Sequence, residues 1–298
     1  MTKAKNIEAS VRQRLLNLSK ERGEDFGLVL SRFAIERLLY RLATSPHKGN
    51  FILKGATLFT VWSGTPHRAT RDLDLLGFGD NSPDALARTF REICVVDTVQ
   101  DGLKFDPKSV SAEPIREDNI YGGIRITLVA KLGTTRIPVQ VDVGFGDDIV
   151  PNPAEVTLPA LLEFPAPVLR AYAKETVIAE KFHAMVVLGM TNSRMKDFFD
   201  IAWMANHFDF DEVVLRAAIQ STFSRRNTPI PTTTPLCLTE EFPADAAKLR
   251  QWTAFTNRIA QPSVSFEGIV QQISHFLGQL LMQTQTRTWK SGGPWRPS

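Results

Sequence analysis

The segment Arg68-Ala-Thr-Arg-Asp-Leu-Asp-Leu75, shortly after Phe51-Ile-Leu-Lys-Gly-Ala56, constrains this chain more than any other. Extended backbone sends alternate side chains to opposite faces. Thr70, Asp72 and Asp74 therefore share one face while Leu73 and Leu75 enter a core. Two carboxylates side by side repel each other, and a cation ordinarily offsets that repulsion. Acid pairs of this kind hold the Mg²⁺ that clamps a nucleotide's phosphates.

Residues 8–45 carry apolar positions at helical spacing, through Phe26, Leu30, Phe33, Leu38, Leu39 and Leu42 with Arg37 in the same run, and the pattern stops at Ser45-Pro46. Phe51-Ile-Leu53 reads as a short strand, Lys54-Gly55 as a turn and Ala56 to Trp62 as a helix. The acidic strand covers about 70–76, and a helix opens at Pro83, which suits a first turn, and runs to about Ile93. Residues 123–131 and 135–143 read as two more strands, the second alternating Ile137, Val139, Val141 and Val143 against Pro138, Gln140 and Asp142. Strands and helices in this order predict an α+β protein with a mixed sheet, and not a doubly wound parallel one.

Pro151, Pro153, Pro159, Pro165 and Pro167 interrupt regular structure and mark the expected boundary. They separate an α/β domain with N-terminal helices, residues 1–155, from a mainly helical domain, residues 156–298. Helices are expected near 171–188, 194–207, 211–223, 240–260 and 265–284, and the Gly- and Pro-rich tail from Ser291 to Ser298 is expected to fray.

At 298 residues and 43% hydrophobic content the chain can fill two modest cores. Lys and Arg number 35 against 32 Asp and Glu, so the net charge of +3 gives no general affinity for nucleic acid. The charged N-terminus lacks the apolar stretch of a secretory signal, and no apolar run approaches the ~20 residues that span a bilayer. Cys94 and Cys237 are too few for a disulfide framework. The expected location is the cytoplasm, with no membrane partner.

Other residues could complete the chemistry. Asp142 lies opposite the valines of its strand and could bring a third carboxylate to Asp72 and Asp74. Three acids on adjacent strands would hold Mg²⁺ and let one accept the proton of an attacking hydroxyl; the alternative is a plain solvent-facing acid. Gly55 lets backbone approach a phosphate at a helix start. Lys181 falls on the apolar stripe of its helix, with Val177, Ile178, Met185 and Leu188, and an inward lysine needs an anion. That anion is either a substrate triphosphate or Asp197 or Asp200 in a structural ion pair. Arg194, Asp197 and Asp200 recur on one helix face, as a surface ladder or as a group orienting Lys181 and binding nucleotide. His183 has no partner at metal-ligand spacing and reads as structural. Gly144-Phe-Gly146 lacks the rest of a dinucleotide fingerprint, and Ser63-Gly64 with His67 makes no nucleophile elbow.

Lys54-Gly55 ahead of Arg68-x-Thr-x-Asp-x-Asp74, then Val139-Gln-Val-Asp-Val143, Ala179-Glu-Lys181 and Arg194-Met-Lys-Asp-Phe-Phe-Asp200, together resemble the AbiEii/AbiGii nucleotidyltransferase toxins, a family that includes the MenT toxins. The likeness runs in order from about residue 26 to 240. It implies a polymerase-β-like nucleotidyltransferase fold with a helical C-terminal half, acting as the toxin of a type IV toxin-antitoxin pair with a cognate antitoxin encoded nearby. Relatives transfer nucleotides from NTP, and the MenT branch modifies tRNA 3′ ends, which implies NTP as substrate, Mg (or Mn) as cofactor and RNA, above all tRNA, as partner. By motif position Gly55, Thr70, Asp72 and Asp74 match the nucleotide and metal motif, Lys181 the family's lysine and Asp197 its late aspartate, with Asp142 as third acid. The implied catalytic set is Asp72, Asp74, Asp142, Lys181 and Asp197; the metal set Asp72, Asp74 and Asp142; the nucleotide-binding set Lys54, Gly55, Thr70, Lys181 and Arg194. Ala56 stands where the broader motif carries Gly or Ser. Arg225 and Arg226 are candidate contacts for the RNA backbone. The competing expectations are a noncatalytic nucleotide- or partner-binding module and NMP transfer to a protein hydroxyl.

Overall fold

Asn6 caps the first helix, α1 (Ile7–Arg22), by accepting from the Ala9 amide, and Gly23 ends it in the left-handed conformation. Asp25 then caps α2 (Phe26–Thr44), so the helix-period run of the N-terminal region is two helices separated at a glycine. The computed structural model describes residues 6–65, 67–68, 70–115, 122–261, 264–282 and 286–298.

The chain divides into two units, Met1–Gly146 with Ala154–Ala171, and Asp147–Pro153 with Tyr172–Ser298. The first unit continues with β1 (Phe51–Lys54), α3 (Thr57–Ser63), β2 (Asp72–Gly77), α4 (Pro83–Cys94), β3 (Leu103–Pro114), β4 (Gly123–Leu132), β5 (Thr135–Phe145), β6 (Ala154–Thr157) and β7 (Val168–Ala171). These strands form a seven-stranded sheet in the order β3-β4-β5-β2-β1-β7-β6. The pairs β2–β5 and β1–β7 are parallel and the others antiparallel, so the sheet is mixed, as the sequence predicts.

One face of the central strands is apolar. Leu73 and Leu75, Val139, Val141 and Val143, and Ile126 and Leu128 are all buried, under α2 and α4. Thr70 precedes β2 instead of lying in it. The buried face of α2 also carries Arg37 and Arg41, which meet Asp101; Arg41 makes a two-pronged contact to that carboxylate at 2.8 and 3.2 Å.

The domain boundary expected after residue 155 falls inside β6, because short strands form between the prolines and join the first sheet, while Asp147–Pro153 belongs to the second unit. The second unit holds α5 (Lys174–Leu188), α6 (Met195–His207), β8 (Phe210–Asp211), α7 (Glu212–Arg225), α8 (Glu241–Ala244), α9 (Ala246–Arg258), α10 (Phe266–Ile273), α11 (Gln279–Met282), β9 (Arg287–Trp289) and β10 (Trp295–Pro297). The helix expected over 240–260 is broken at Asp245, whose side chain accepts from the Ala247 and Lys248 amides and starts α9. A π-helical turn, Ser274–Gly278, separates α10 from α11.

The tail corrects an expectation. Instead of fraying, it forms β10, which pairs with β9 in a three-stranded sheet completed by β8. The indole of Trp295 donates to the Phe276 carbonyl at 2.9 Å and stacks on the Phe276 ring, while Trp289 donates to the Ala205 carbonyl at 2.7 Å. Gly293 makes this possible, since a Cβ there would come within 2.5 Å of the Trp289 ring. Two buried indoles outweigh the disordering tendency of Gly-Gly-Pro. Trp295→Ala should therefore destabilise the second unit by about 3–5 kcal/mol, read as a lower denaturation midpoint in tryptophan fluorescence.

Candidate functional site

Chain direction reverses between β1 and β2, and the turn out of β1 is set by Gly55. Its φ is +74°, and a Cβ there would overlap the Asp74 carboxylate and lie 2.6 Å from the Asp74 Cβ. Only glycine combines that backbone angle with that closeness. The turn therefore lets the Asp74 side chain pack directly against the Gly55 backbone, just ahead of α3.

Sheet register then assembles the acids. Lys54 pairs with Asp74 across β1–β2, Asp74 with Asp142 across β2–β5, and Asp142 with Arg125 across β5–β4. Register partners project to the same face, so Lys54, Asp74, Asp142 and Arg125 form one row. Asp72, an exposed residue, sits two positions along β2 and pairs with Gln140. The Thr70 hydroxyl lies 3.4 Å from the Asp72 carbonyl at the strand entrance.

Arg125 holds Asp142 with both prongs, Nε to Oδ1 at 2.9 Å and Nη2 to Oδ2 at 2.8 Å. The hydrogen bond and the negative charge of Asp142, helped by Asp72 and Glu113, raise the Arg125 pKa despite partial burial. Arg125 is the residue that sequence reasoning missed. The alternation of Ile124, Ile126 and Leu128 could have put it on the polar face, but nothing in the sequence gives the β4–β5 register. Among the described residues no group of three or more His, Cys, Asp or Glu is gathered as a metal site. Asp72 and Asp74 remain suited to a hard divalent cation, as alternating oxygen donors on one strand face, with the Asp74 carboxylate lying against Gly55.

The remaining candidates gather in the second unit. Lys181 on α5 reaches Asp197 Oδ1 at 2.7 Å and Asp200 Oδ2 at 2.8 Å on α6, while Arg194 Nε meets Asp197 Oδ2 at 2.6 Å. The ion pair that the sequence allowed with either aspartate is made with both. Both carboxylates are fully buried, and the four named side chains sum to zero charge. Burial alone would raise the Asp197 pKa, but the Lys181 ammonium and then Arg194 outweigh it and hold it below the ordinary range. His183 is structural, as expected, with Nε2 at 2.9 Å from the Thr228 hydroxyl and its pKa pushed down to about 4 by burial and by Arg226. Arg226 is not an open surface cation. It meets Asp147 at 2.8 Å and Glu180 at 3.5 Å and is mostly buried. Arg225 is exposed.

Two outcomes follow. Gly55→Ala should cost at least about 1–2 kcal/mol through the left-handed backbone alone and displace Asp74, read as a lower melting temperature. Lys181→Ala should cost about 3–5 kcal/mol near neutral pH by stranding buried carboxylates. Paired Asp197 has a depressed folded pKa, so its stabilisation is present above the unfolded value of about 3.9 and is lost as pH falls through the folded one. Without Lys181 that advantage is gone, so the variant's deficit should shrink on acidification toward about pH 4, measured by urea melts at several pH values.

Comparison with known proteins bears on both groups of residues. A family profile described as "Nucleotidyl transferase AbiEii toxin, Type IV TA system" matches residues 37–272. Comparison with curated proteins gives no match. Among solved structures the chain is similar to a candidate nucleotidyltransferase from H. pylori, at 13% identity and a TM-score of 0.44 over 82% of this chain and 90% of that one. It is also similar to JHP933 from Helicobacter pylori, at 14% identity and a TM-score of 0.45 over 82% and 88% of the two chains. The family match takes in the acid row and the lysine cluster alike, and the chain belongs to the AbiEii family of nucleotidyltransferase toxins of type IV toxin-antitoxin systems.

Proposed function

We propose that the protein transfers a nucleotide from NTP to an RNA 3′ hydroxyl, with a tRNA end as acceptor, and that Mg²⁺ or Mn²⁺ is required. The observation that supports this reading most is the pair Asp72 and Asp74 on the polar face of β2, the second packed against a glycine whose missing Cβ accommodates its carboxylate. In the reaction the acceptor oxygen forms a bond to the α-phosphorus, the bond from that phosphorus to the bridging α–β oxygen breaks, and pyrophosphate leaves. The hydroxyl proton passes to a carboxylate.

Asp72 and Asp74 hold the divalent cation, which would supply positive charge to the phosphates as negative charge shifts toward the leaving group. Asp142 is the third acid, placed beside Asp74 with its charge met by Arg125. Lys54, Gly55 and Thr70 border the nucleotide. In the second unit Asp197 orients Lys181, with Arg194 as its second partner. The antitoxin encoded nearby would neutralise a cytoplasmic activity, and the sheet-bearing first unit and the helical second unit are the nucleotidyltransferase and helical domains of this reading.

Incubation of the protein with total RNA, Mg²⁺ and each labelled NTP in turn tests the proposal. Label should enter RNA, and Asp72→Ala and Asp74→Ala should each lower that signal by a factor on the order of 10³ with melting curves unchanged or raised. Label in protein instead would move the acceptor to a protein hydroxyl. Nucleotide binding without any transfer would favour a noncatalytic module.

A further inference from the structure

Asp142 stands where a third carboxylate could join Asp72 and Asp74 on a cation, yet each of its oxygens already accepts from Arg125, at 2.9 and 2.8 Å. The Gln140 amide adds contacts at 3.3 and 3.5 Å to the same two oxygens. A fork-on-fork guanidinium–carboxylate pair is among the stronger charge-assisted contacts available to side chains. Ligation by Asp142 would bring a divalent cation up against that guanidinium, a charge of like sign. Arg125 also bears electrostatically on Asp72 and Glu113, so its charge acts along the acid face and not on Asp142 alone.

We propose that Arg125 is a positioning residue that takes the place of a second cation at Asp142, leaving Asp72 and Asp74 as the carboxylates that bind the divalent metal. The inference rests on the assignment of Asp72 and Asp74 as metal ligands made above. Its consequence is a site in which one cation is permanent and covalently part of β4 while the other is exchangeable. Arg125 weakens metal binding by its own charge.

Titration of the full chain with Mn²⁺ alone, followed by electron paramagnetic resonance of the free ion, separates these roles without any turnover. The wild type should bind Mn²⁺ saturably and Asp72→Asn should lose that binding. Arg125→Gln should bind Mn²⁺ about tenfold more tightly, or about 1.4 kcal/mol, because a repelling charge is gone. Arg125→Lys, which keeps the charge and loses the fork, should fall between, and it carries the test if circular dichroism shows Arg125→Gln unfolded. The double variant Arg125→Gln with Asp142→Asn should still bind at least as tightly as wild type. Loss of binding in the double variant, or unchanged affinity in Arg125→Gln, would overturn the proposal and leave Asp72 as ligand. Full binding in Asp72→Asn, or no saturable binding to the wild type, would overturn the assignment of Asp72 and Asp74 and this inference with it.

Discussion

Everything proposed for the first unit depends on a lateral row of charge, Lys54, Asp74, Asp142 and Arg125, carried by four adjacent strands. Strands lie about 4.8 Å apart, so the two aspartates in the middle repel, by several kcal/mol at the effective dielectric of a protein surface. A cation at either end of the row offsets that repulsion. The row exists only because β2 lies between β1 and β5, and the parallel pairing of β2 with β5 requires the chain between them to leave and return. The helix α4 and the strands β3 and β4 fill that excursion, and β4 brings Arg125 back beside Asp142.

The second unit handles acids differently. Asp197 and Asp200 are withdrawn from water altogether and share one ammonium, with Arg194 on the first of them. Such a cluster contributes less to stability than its short distances suggest, because desolvating the two carboxylates and the ammonium costs nearly what their attraction returns. Its main effect is to fix where Lys181 ends. The half-buried row in the sheet and the buried cluster between α5 and α6 are thus two solutions to one electrostatic problem.

The half-buried strands were legible because period-two alternation survives in β2 and β5, and the polar face of each could be read directly. β3 was not, since Pro107 interrupts its pattern; the structure absorbs that proline in a register shift between Asp106 and Ser111, where the Ser109 hydroxyl accepts from the Val129 amide. The strands β6 and β7 were hidden by flanking prolines. The buried tail was hidden by Gly-Gly-Pro, although Trp289 and Trp295 carried the signal. Among the site residues, Asp72, Asp74, Gly55 and Lys181 were visible as single positions, whereas the engagement of Asp142 by Arg125 is a fact of register between strands, which one sequence does not encode locally. The division of the proline-rich stretch between two units escaped for the same reason.

That division has a topological meaning. The chain passes from one unit to the other after Gly146, back after Pro153 and across again after Ala171. Three passages, not one, link the units, so a single nick near residue 150 leaves them joined through the peptide after Ala171. A fragment ending at residue 171 would keep Asp147 without Arg226, and Val150 without the Thr176 hydroxyl that donates to its carbonyl. The two halves are interleaved in the gene as well as in the polypeptide. Recombination at one point cannot deliver both halves whole, so the sheet and its helical companion are linked in inheritance.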